Sequence, residues 1–315
     1  MLLLIQDPCF DLHITPAGHP ERPERTAAIR AALSAATLSN LQVREEVPRA
    51  ATPEELMRVH APEYVERLRE FCAAGGGMLD ADTHACRESF EVASRASGAA
   101  VQAAEHLLSG AGRTAFCAVR PPGHHAGRAY AMGFCLFNHA AVAAAHLRAR
   151  DPEARVLIVD WDLHHGNGTQ DIFYSDPNVF YFSMHRFPFW PGTGSAAEIG
   201  AGAGVGATWN VPLEAGASRA RIREAFDAGL KTIADRFQPT WLVISAGFDM
   251  HRTDPLGGLS LEAEDYATMT KALGEQYMNR GVRGVVSVLE GGYALEGLAQ
   301  SAMAHVKSLM DFELK

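Results

Sequence analysis

Acidic and imidazole side chains follow two apolar, β-rich runs of the chain in a pattern that suits a metal ion. Asp160, Asp162 and His164 come directly after one run, and because alternate residues of a strand share a face they are expected to point the same way. Asp249 follows a second such run. Two carboxylates and one imidazole (Asp162, His164 and Asp249) predict a three-ligand catalytic metal site with an open position. A buried ion-pair network is the alternative interpretation of this cluster.

Two adjacent histidines, His124 and His125, follow another β-rich run inside a segment with two prolines and a glycine (120–127). Hydrolysis at a metal needs one group that takes a proton from water and one that protonates the leaving amine. Each imidazole also needs a partner that sets its tautomer, and Asp160 and Asn167 are the candidates. The tandem histidines therefore predict proton transfer beside the metal.

Three aromatic residues lie in glycine-containing segments near these clusters. Tyr293 follows two glycines, and its phenol could donate a hydrogen bond to a carbonyl oxygen that becomes an oxyanion. Phe134 and Trp190 could line an apolar channel to the site. Packing in a turn or in the core is the alternative for each of the three.

The elements that must position these residues alternate between strands and helices. Runs rich in Val, Ile, Phe and Leu predict strands at 1–5, 114–119, 155–159, 179–183, 241–245 and 285–289. Helices are expected at 89–108, 139–150, 218–237, 262–279 and 295–310, with Ser218 and Ser260 as capping residues. This order predicts an α/β fold: a mainly parallel sheet flanked by helices, with the site at the C-terminal ends of the strands.

Composition limits the remaining possibilities. The 315 residues contain 47% hydrophobic residues, enough for a sizeable core, and we expect residues 1–315 to form a single domain. The net charge of −9 argues against nucleic-acid binding. Five widely spaced cysteines without a CxxC pair favour reduced thiols, and no apolar run is long enough for a membrane span, so we expect a cytoplasmic protein. The glycine-rich stretch 192–206 is expected to be an active-site loop.

Taken together, these motifs resemble the histone deacetylase family, which includes bacterial histone deacetylase-like amidohydrolases and acetylpolyamine amidohydrolases. The likeness covers most of the chain and begins at GHPERPER (18–25). It continues through RPPGHHA (120–126), MGFC (132–135), DWDLHHGNGTQ (160–170), PGTG (191–194), AGFD (246–249), DPLGG (254–258) and EGGY (290–293). The resemblance implies the arginase/deacetylase fold and zinc-dependent hydrolysis of an amide, which makes the chain a deacetylase.

The resemblance also implies a role for each matching residue. Asp162, His164 and Asp249 match the ligands of one catalytic zinc ion. His125 matches the general base and acid, with Asn167 beside it, and His124 matches its electrostatic partner, paired with Asp160. Tyr293 matches the tyrosine that polarises the acyl carbonyl. A structural potassium ion is implied as well, and its matching ligands are Asp160, Asp162, Ser183 and the carbonyls of His164 and Met184.

Substrate-contacting positions follow from the same motifs. Gly133, Phe134, Trp190 and Leu256 match the walls and rim of a substrate tunnel. Asn167 resembles the class II pattern, and Leu256 stands where a polyamine-selective relative carries an acidic residue, which favours an acyl-lysine substrate. Trp190 replaces a smaller aromatic residue and should exclude long or branched acyl groups. Asp82 resembles a rim aspartate through a short match only and is not counted among the site residues.

Several alternatives remain open on the sequence alone. An acetylpolyamine amidohydrolase would use the same chemistry on a different amine, and an arginase-like ureohydrolase would need a second metal ion with more carboxylates near Asp249. A third alternative is a non-enzymatic protein that binds acyl-lysine. The complete set of candidate ligands, tandem histidines and tyrosine argues against it, because binding alone does not need that set. The bound metal can be Fe²⁺ or Co²⁺ as well as Zn²⁺, because the ligand set suits all three. The physiological amine and the oligomeric state are also left open.

Overall fold

The computed structural model describes residues 1–34 and 42–312 and contains ten strands within them. Their bounds are β1 (Leu2–Ile5), β2 (Val43–Glu46), β3 (Gly76–Met78), β4 (His84–Cys86), β5 (Thr114–Cys117), β6 (Val156–Asp160), β7 (Val179–Arg186), β8 (Thr208–Leu213), β9 (Trp241–Ala246) and β10 (Val285–Leu289). Eight of them form one sheet in the order β2-β1-β5-β10-β9-β6-β7-β8, and every neighbouring pair is parallel. The strands β3 and β4 form a separate antiparallel pair.

Besides three short 3-10 helices, nine α-helices lie in the described part of the chain. They are α1 (Glu24–Ala32), α2 (Pro53–Met57), α3 (Pro62–Ala73), α4 (Ser89–Leu108), α5 (His139–Arg150), α6 (Asn167–Phe173), α7 (Arg219–Ala234), α8 (Ala263–Tyr277) and α9 (Leu295–Met310). Among them, none combines the length and hydropathy that a membrane span requires.

The sheet is buried on both faces, which explains why its inner strands are continuous apolar runs. Successive residues of one strand pack in different hydrophobic clusters, because their side chains point to opposite faces of the sheet. In β1, Leu2 and Leu4 pack in one cluster, and Leu3 and Ile5 pack in the other. Helices α1, α7, α8 and α9 contribute to the first cluster, whereas α2 to α6 contribute to the second. The predicted fold class, a parallel sheet flanked by helices, is therefore confirmed.

The sequence analysis missed both edge strands of the sheet, as well as the separate pair β3 and β4. The strand β2 has the sequence VREE, and β8 contains Pro212. Both are edge strands, so neither needs the continuous apolar run by which the inner strands were recognised. Helices α1, α2, α3 and α6 were also missed.

One of the two predicted helix caps is correct. The side chain of Ser218 accepts a hydrogen bond from the backbone N–H of Arg221 at the start of α7. The prediction for Ser260 is wrong, because Glu262 caps α8 in a capping box with Asp265. That box satisfies the free N–H groups of the first turn two residues after the predicted position.

Candidate active site

Four neighbouring strands deliver the candidate metal ligands, the tandem histidines and Tyr293 to one edge of the sheet. In spatial order they are β5, β10, β9 and β6, and all four run in the same direction. Asp160, the last residue of β6, lies in register with Ser245 near the end of β9. The segments that leave these strands therefore start side by side, although they are far apart in the sequence, and this edge is where open α/β sheets bind ligands.

Asp162, His164 and Asp249 converge just beyond this edge, and a ligand atom from each lies within 4.8 Å of the others. His164 Nδ1 is 3.2 Å from Asp162 Oδ1 and 3.0 Å from Asp249 Oδ2. The segment after β6 is held in place by two further bonds: the N–H of His164 donates to Asp162 Oδ1, and the N–H of Leu163 donates to Asp249 Oδ1. All three candidate ligands are buried. This is the one group of three or more His, Cys, Asp or Glu residues with such spacing in the described chain.

The electrostatics of this cluster fit a divalent cation. Burial and the neighbouring carboxylate of Asp162 raise the pKa of Asp249 to about 7. Burial alone would lower the pKa of His164, but the carboxylates of Asp162 and Asp249 raise it to about 9. Within the described residues, the ion pairs of these carboxylates involve histidines and no Lys or Arg. Two buried carboxylates whose only charged partners in that part of the chain are histidines form a site that a divalent metal ion would neutralise.

Gly291 lies against both carboxylates and connects the last strand to the cluster. Its N–H donates to Asp162 Oδ2 at 2.8 Å. A Cβ at this position would lie 2.5 Å from Asp162 Oδ2 and 2.6 Å from Asp249 Oδ2. Only glycine therefore fits at this position, where the segment that carries Tyr293 passes against the two carboxylates.

His124 is held as an imidazolium beside the cluster. Its Nδ1 lies 3.0 Å from Asp160 Oδ2, which also accepts a hydrogen bond of 2.9 Å from the Tyr181 hydroxyl. Burial alone would lower the pKa of His124, but the nearby carboxylates, chiefly those of Asp162 and Asp160, raise it to about 10. The predicted pairing of His124 with Asp160 is present in the structure.

His125 has the opposite protonation preference. Burial lowers its pKa well below the usual value, and the charges of His124 and His164 lower it further. His125 Nδ1 is 2.8 Å from Asn167 Oδ1, so Nδ1 donates and Nε2 keeps its lone pair. Two adjacent imidazoles whose pKa values are pushed apart are suited to different roles, with the neutral one able to accept a proton.

We expect Asn167→Asp to move the pH dependence of turnover to higher pH. A carboxylate beside Nδ1 would stabilise the imidazolium of His125 and raise its pKa. With His125 as the general base that the sequence predicts, only its unprotonated form would be active, so the acidic limb of kcat/KM against pH should shift upward, with relatively less activity at low pH. Asn279→Asp, which adds the same charge at an exposed position, is the control. An unshifted limb in Asn167→Asp would contradict the pairing.

A tunnel of about 200 Å³ connects the cluster to the surface. Its lining residues are Asp82, His125, Gly133, Phe134, His164, Phe189, Trp190, Leu256 and Tyr293. All four predicted substrate-contacting residues are thus on its wall, together with a candidate ligand, the candidate base and the candidate tyrosine. Trp190 is the most exposed aromatic residue of this wall, and its ring centroid lies 4.6 Å from that of His125.

Backbone conformation brings Phe134 to the tunnel wall. Gly133 and Phe134 have φ values of 58° and 69°, in the left-handed region that non-glycine residues seldom occupy. A Cβ on Gly133 would lie 2.4 Å from the Trp190 ring and 2.6 Å from the His125 ring. The N–H of Phe134 donates to Thr83 Oγ1, which holds the turn in place. Such strain at a wall residue is typical of ligand-binding sites.

Tyr293 is positioned from both sides. Its N–H donates to Asp254 Oδ2 at 2.6 Å, and the Arg25 guanidinium lies 4.8 Å from the centre of its ring. Arg25 also donates to the carbonyls of Gly292 and Glu290. Burial raises the pKa of Tyr293 well above the usual value, so its hydroxyl stays protonated and can donate a hydrogen bond.

Several residues of the site were missed or misassigned by sequence reasoning. The buried carboxylate of Glu290 accepts hydrogen bonds from the N–H groups of Gly123 and His124, and so holds the tandem histidines. Phe189 stacks on His164 with ring centroids 5.5 Å apart. The glycine-rich stretch 192–206, predicted to be an active-site loop, contributes no residue to the tunnel lining. A Cβ on its Gly194 would meet His185 and His165, which are also outside that lining. Glu290 is the first residue of the EGGY motif and Phe189 directly precedes Trp190, so their positions in the sequence were the available signal.

Comparison with known proteins agrees with this geometry. The model of the histone deacetylase domain matches residues 19–309. Histone deacetylase 15 of Arabidopsis thaliana is 40% identical over 296 residues, which are 93% of this chain and 53% of that protein. Polyamine deacetylase HDAC10 of Homo sapiens is 40% identical over 303 residues, 92% of this chain and 44% of that protein. The chain spans about half the length of these two relatives.

A solved structure shares the whole fold. The crystal structure of the HDA15 HD domain matches with a TM-score of 0.91 and 38% sequence identity, covering 98% of this chain and 88% of that chain. The family model covers most of the chain as well. We conclude that this chain belongs to the histone deacetylase family.

Proposed function

We propose that the chain is a zinc-dependent deacetylase that removes acetyl or other short acyl groups from acyl-lysine side chains. The observation that carries this proposal is the convergence of Asp162, His164 and Asp249 beside a narrow tunnel that His125 and Tyr293 also line. The three ligands come from the segments that follow β6 and β9, and their side chains are buried, in an arrangement that suits a catalytic metal site with an open position.

The residues around the cluster would divide the reaction between them. Asp162, His164 and Asp249 would hold a Zn²⁺ ion, which would supply Lewis acidity and would lower the pKa of a bound water to about 7. His125 Nε2 takes a proton from the attacking water and later gives it to the leaving amine. The imidazolium of His124 adds positive charge where the oxyanion develops, and the Tyr293 hydroxyl donates a hydrogen bond to that oxygen. Asn167 keeps His125 in the required tautomer.

The tunnel supports an acyl-lysine substrate. Its walls include Phe134, Phe189 and Trp190, which suit the apolar stem of a lysine side chain. Leu256 at its mouth offers no charge to a cationic amine. Trp190 occupies part of the channel, so short acyl groups should be preferred over long or branched ones.

The alternative is an acetylpolyamine amidohydrolase, and one of the relatives above is named as a polyamine deacetylase. We expect Leu256→Glu to shift selectivity towards acetylpolyamines. A carboxylate at the mouth attracts the distal ammonium of N-acetylputrescine, at about 0.5–1 kcal/mol for a solvent-exposed pair, or several-fold in kcat/KM. Leu256→Gln is the matched neutral control. Equal selectivity of the two variants would contradict the placement of Leu256 at the substrate-binding mouth.

The experiment that tests the proposed function compares substrates on protein with quantified metal. Acetyl-, propionyl- and longer acyl-lysine peptides are compared with N-acetylputrescine by kcat/KM. The proposal expects the acetyl-lysine peptide to be hydrolysed best, with rates falling as the acyl group lengthens. Faster turnover of N-acetylputrescine would favour the polyamine alternative. Binding of acyl-lysine peptides without any turnover would favour a non-enzymatic acyl-lysine reader.

An arginase-like function is less well supported by the geometry. A second metal ion would need further carboxylates near Asp249, and the nearest candidate in the sequence is Asp254. The Asp254 carboxylate already accepts hydrogen bonds from the N–H groups of Leu256, Tyr293 and Ala294. It therefore serves to position the segment that carries Tyr293.

We also propose that a structural potassium ion binds behind the metal cluster and that the protein acts in the cytoplasm. The family resemblance suggests Asp160, Asp162, His164, Ser183 and Met184 as potassium ligands. Asp160 and Ser183 lie directly opposite each other in the register of β6 and β7, which supports a shared site. All five cysteines are free thiols, which suits a reducing compartment.

A further inference from the structure

Away from the tunnel, a nucleophile, a base and an acid lie in one connected group: Cys86, His13 and Glu21. Cys86 Sγ is 3.2 Å from Ser89 Oγ, and Ser89 Oγ is 2.6 Å from His13 Nδ1. The opposite ring nitrogen, His13 Nε2, lies 3.4 Å from Glu21 Oε2. A nucleophile whose base is oriented by a third group has the arrangement of an activated side chain.

The base and the acid of this group are fixed by the protein interior. His13 and Glu21 are buried, with 1% and 0% exposure. The carboxylate of Glu21 is held by Arg120, whose Nε and Nη2 donate to its two oxygens at 2.7 and 2.8 Å. The imidazole of His13 therefore has one orientation, with Nδ1 towards Ser89, whose hydroxyl contacts the Cys86 sulfur.

The surroundings of the Cys86 sulfur favour its thiolate form. The N–H of Ile14 donates to Sγ at 3.4 Å, and Sγ lies by the first turn of the 20-residue helix α4. One contact opposes this effect, because Sγ also lies 3.4 Å from the carbonyl oxygen of Leu12. Burial alone would raise the pKa of Cys86, but the bonds from His13, Ser89 and the backbone lower it to about 7.

The other cysteines have the opposite environment. Cys9 is partly exposed like Cys86, but burial and the carboxylate of Asp7 raise its pKa to about 12. Cys72, Cys117 and Cys135 are buried, and burial raises the pKa of each. The chain thus has one accessible thiol with an activating environment and one accessible thiol without it, which provides an internal control.

We propose that Cys86, together with His13 and Glu21, forms a thiol–disulfide exchange site that is modified selectively by low-molecular-weight disulfides. Cys86 loses its proton to solvent, and the thiolate attacks one sulfur of the small disulfide. The new S–S bond forms as the old one breaks, and the departing thiolate takes up a proton. Cys86 is oxidised to a mixed disulfide and half of the reagent is reduced to a thiol, so no other oxidant is needed. This site lies outside the tunnel, and its Glu21 also pairs with Arg25, which packs against Tyr293.

The test uses oxidised glutathione on the intact chain, with the adduct at each cysteine quantified by peptide mass spectrometry. At pH 7 about half of Cys86 would be thiolate, against roughly 10⁻⁵ of Cys9, and the lower nucleophilicity of the more acidic thiol offsets part of this difference. We expect Cys86 to react about 10²-fold faster than Cys9, with a rate that levels off above a midpoint near pH 7. Equal rates at Cys86 and Cys9, or a rate still rising steeply above pH 8, would overturn the proposal.

Variants test whether Cys86 reacts fast because of Ser89 and His13 or only because its thiol is exposed. Cys86→Ser should abolish the fast adduct, and Cys9→Ser should leave it unchanged. Ser89→Ala and His13→Asn should each move the midpoint of the rate to higher pH while Cys86 stays accessible. If His13→Asn does not fold, the proposal is still tested by Ser89→Ala and by the pH profile of the reaction in the unaltered chain. A midpoint that is the same in Ser89→Ala and in the unaltered chain would also overturn the proposal.

Discussion

Asp249→Ala should abolish both metal retention and turnover. Asp249 supplies one of three candidate ligands, so its loss leaves one carboxylate and one imidazole to hold the ion. A metal contributes several kcal/mol to amide hydrolysis, which corresponds to a loss of at least about 10³-fold in kcat/KM. Metal content by elemental analysis and turnover of an acetyl-lysine peptide are measured on the same sample.

Two further variants make that result interpretable. Asp249 also accepts a hydrogen bond from the N–H of Leu163, and Asp249→Asn keeps an acceptor there while removing the charge. We expect Asp249→Asn to lose metal as well, with thermal stability closer to that of the unaltered chain. Asp227→Ala, at an exposed position on α7, should change neither metal content nor turnover. Stoichiometric metal in Asp249→Ala would refute the ligand set.

Tyr293→Phe should lower kcat by about 10²–10³-fold while the metal stays bound. The substitution removes one hydroxyl, and removal of a single oxyanion donor typically has this effect. The raised pKa of Tyr293 keeps the hydroxyl protonated across the working pH range, so it acts as a donor throughout. KM should change little, because the hydrogen bond is stronger to the transition state than to the substrate.

The matched control is Tyr174→Phe, which removes a hydroxyl at a partly exposed position away from the tunnel. It should retain full activity. If Tyr293→Phe keeps the kcat of the unaltered chain, Tyr293 has no role in the mechanism.

The inner part of the fold was predictable because burial on two faces leaves a strong pattern. The run at 285–289 matches β10 at both ends, and the helices at 89–108, 139–150 and 295–310 match as well. The edge strands were not predictable, since β2 carries three charged residues in four and β8 is interrupted by a proline. An edge strand is specified by its neighbour rather than by its own composition.

The candidate site was predictable where chemistry is concentrated in short motifs at strand ends. The contacts that orient those motifs were not, because they join distant segments. Glu290 binds the backbone of Gly123 from 167 residues away, and Arg25 binds the carbonyl of Gly292 from 267 residues away. Almost any residue type can supply the backbone N–H groups that a carboxylate such as that of Glu290 binds, so no pattern in the sequence marks the contact.

The central claim is that one divalent cation at Asp162, His164 and Asp249 drives amide hydrolysis. The most direct measurement removes all metal with a chelator, returns Zn²⁺ in small steps, and follows turnover of an acetyl-lysine peptide together with bound zinc. The account predicts negligible turnover without metal and a linear rise that ends at one ion per chain. Full turnover in metal-free protein, or a rise that ends only at two ions per chain, would contradict it.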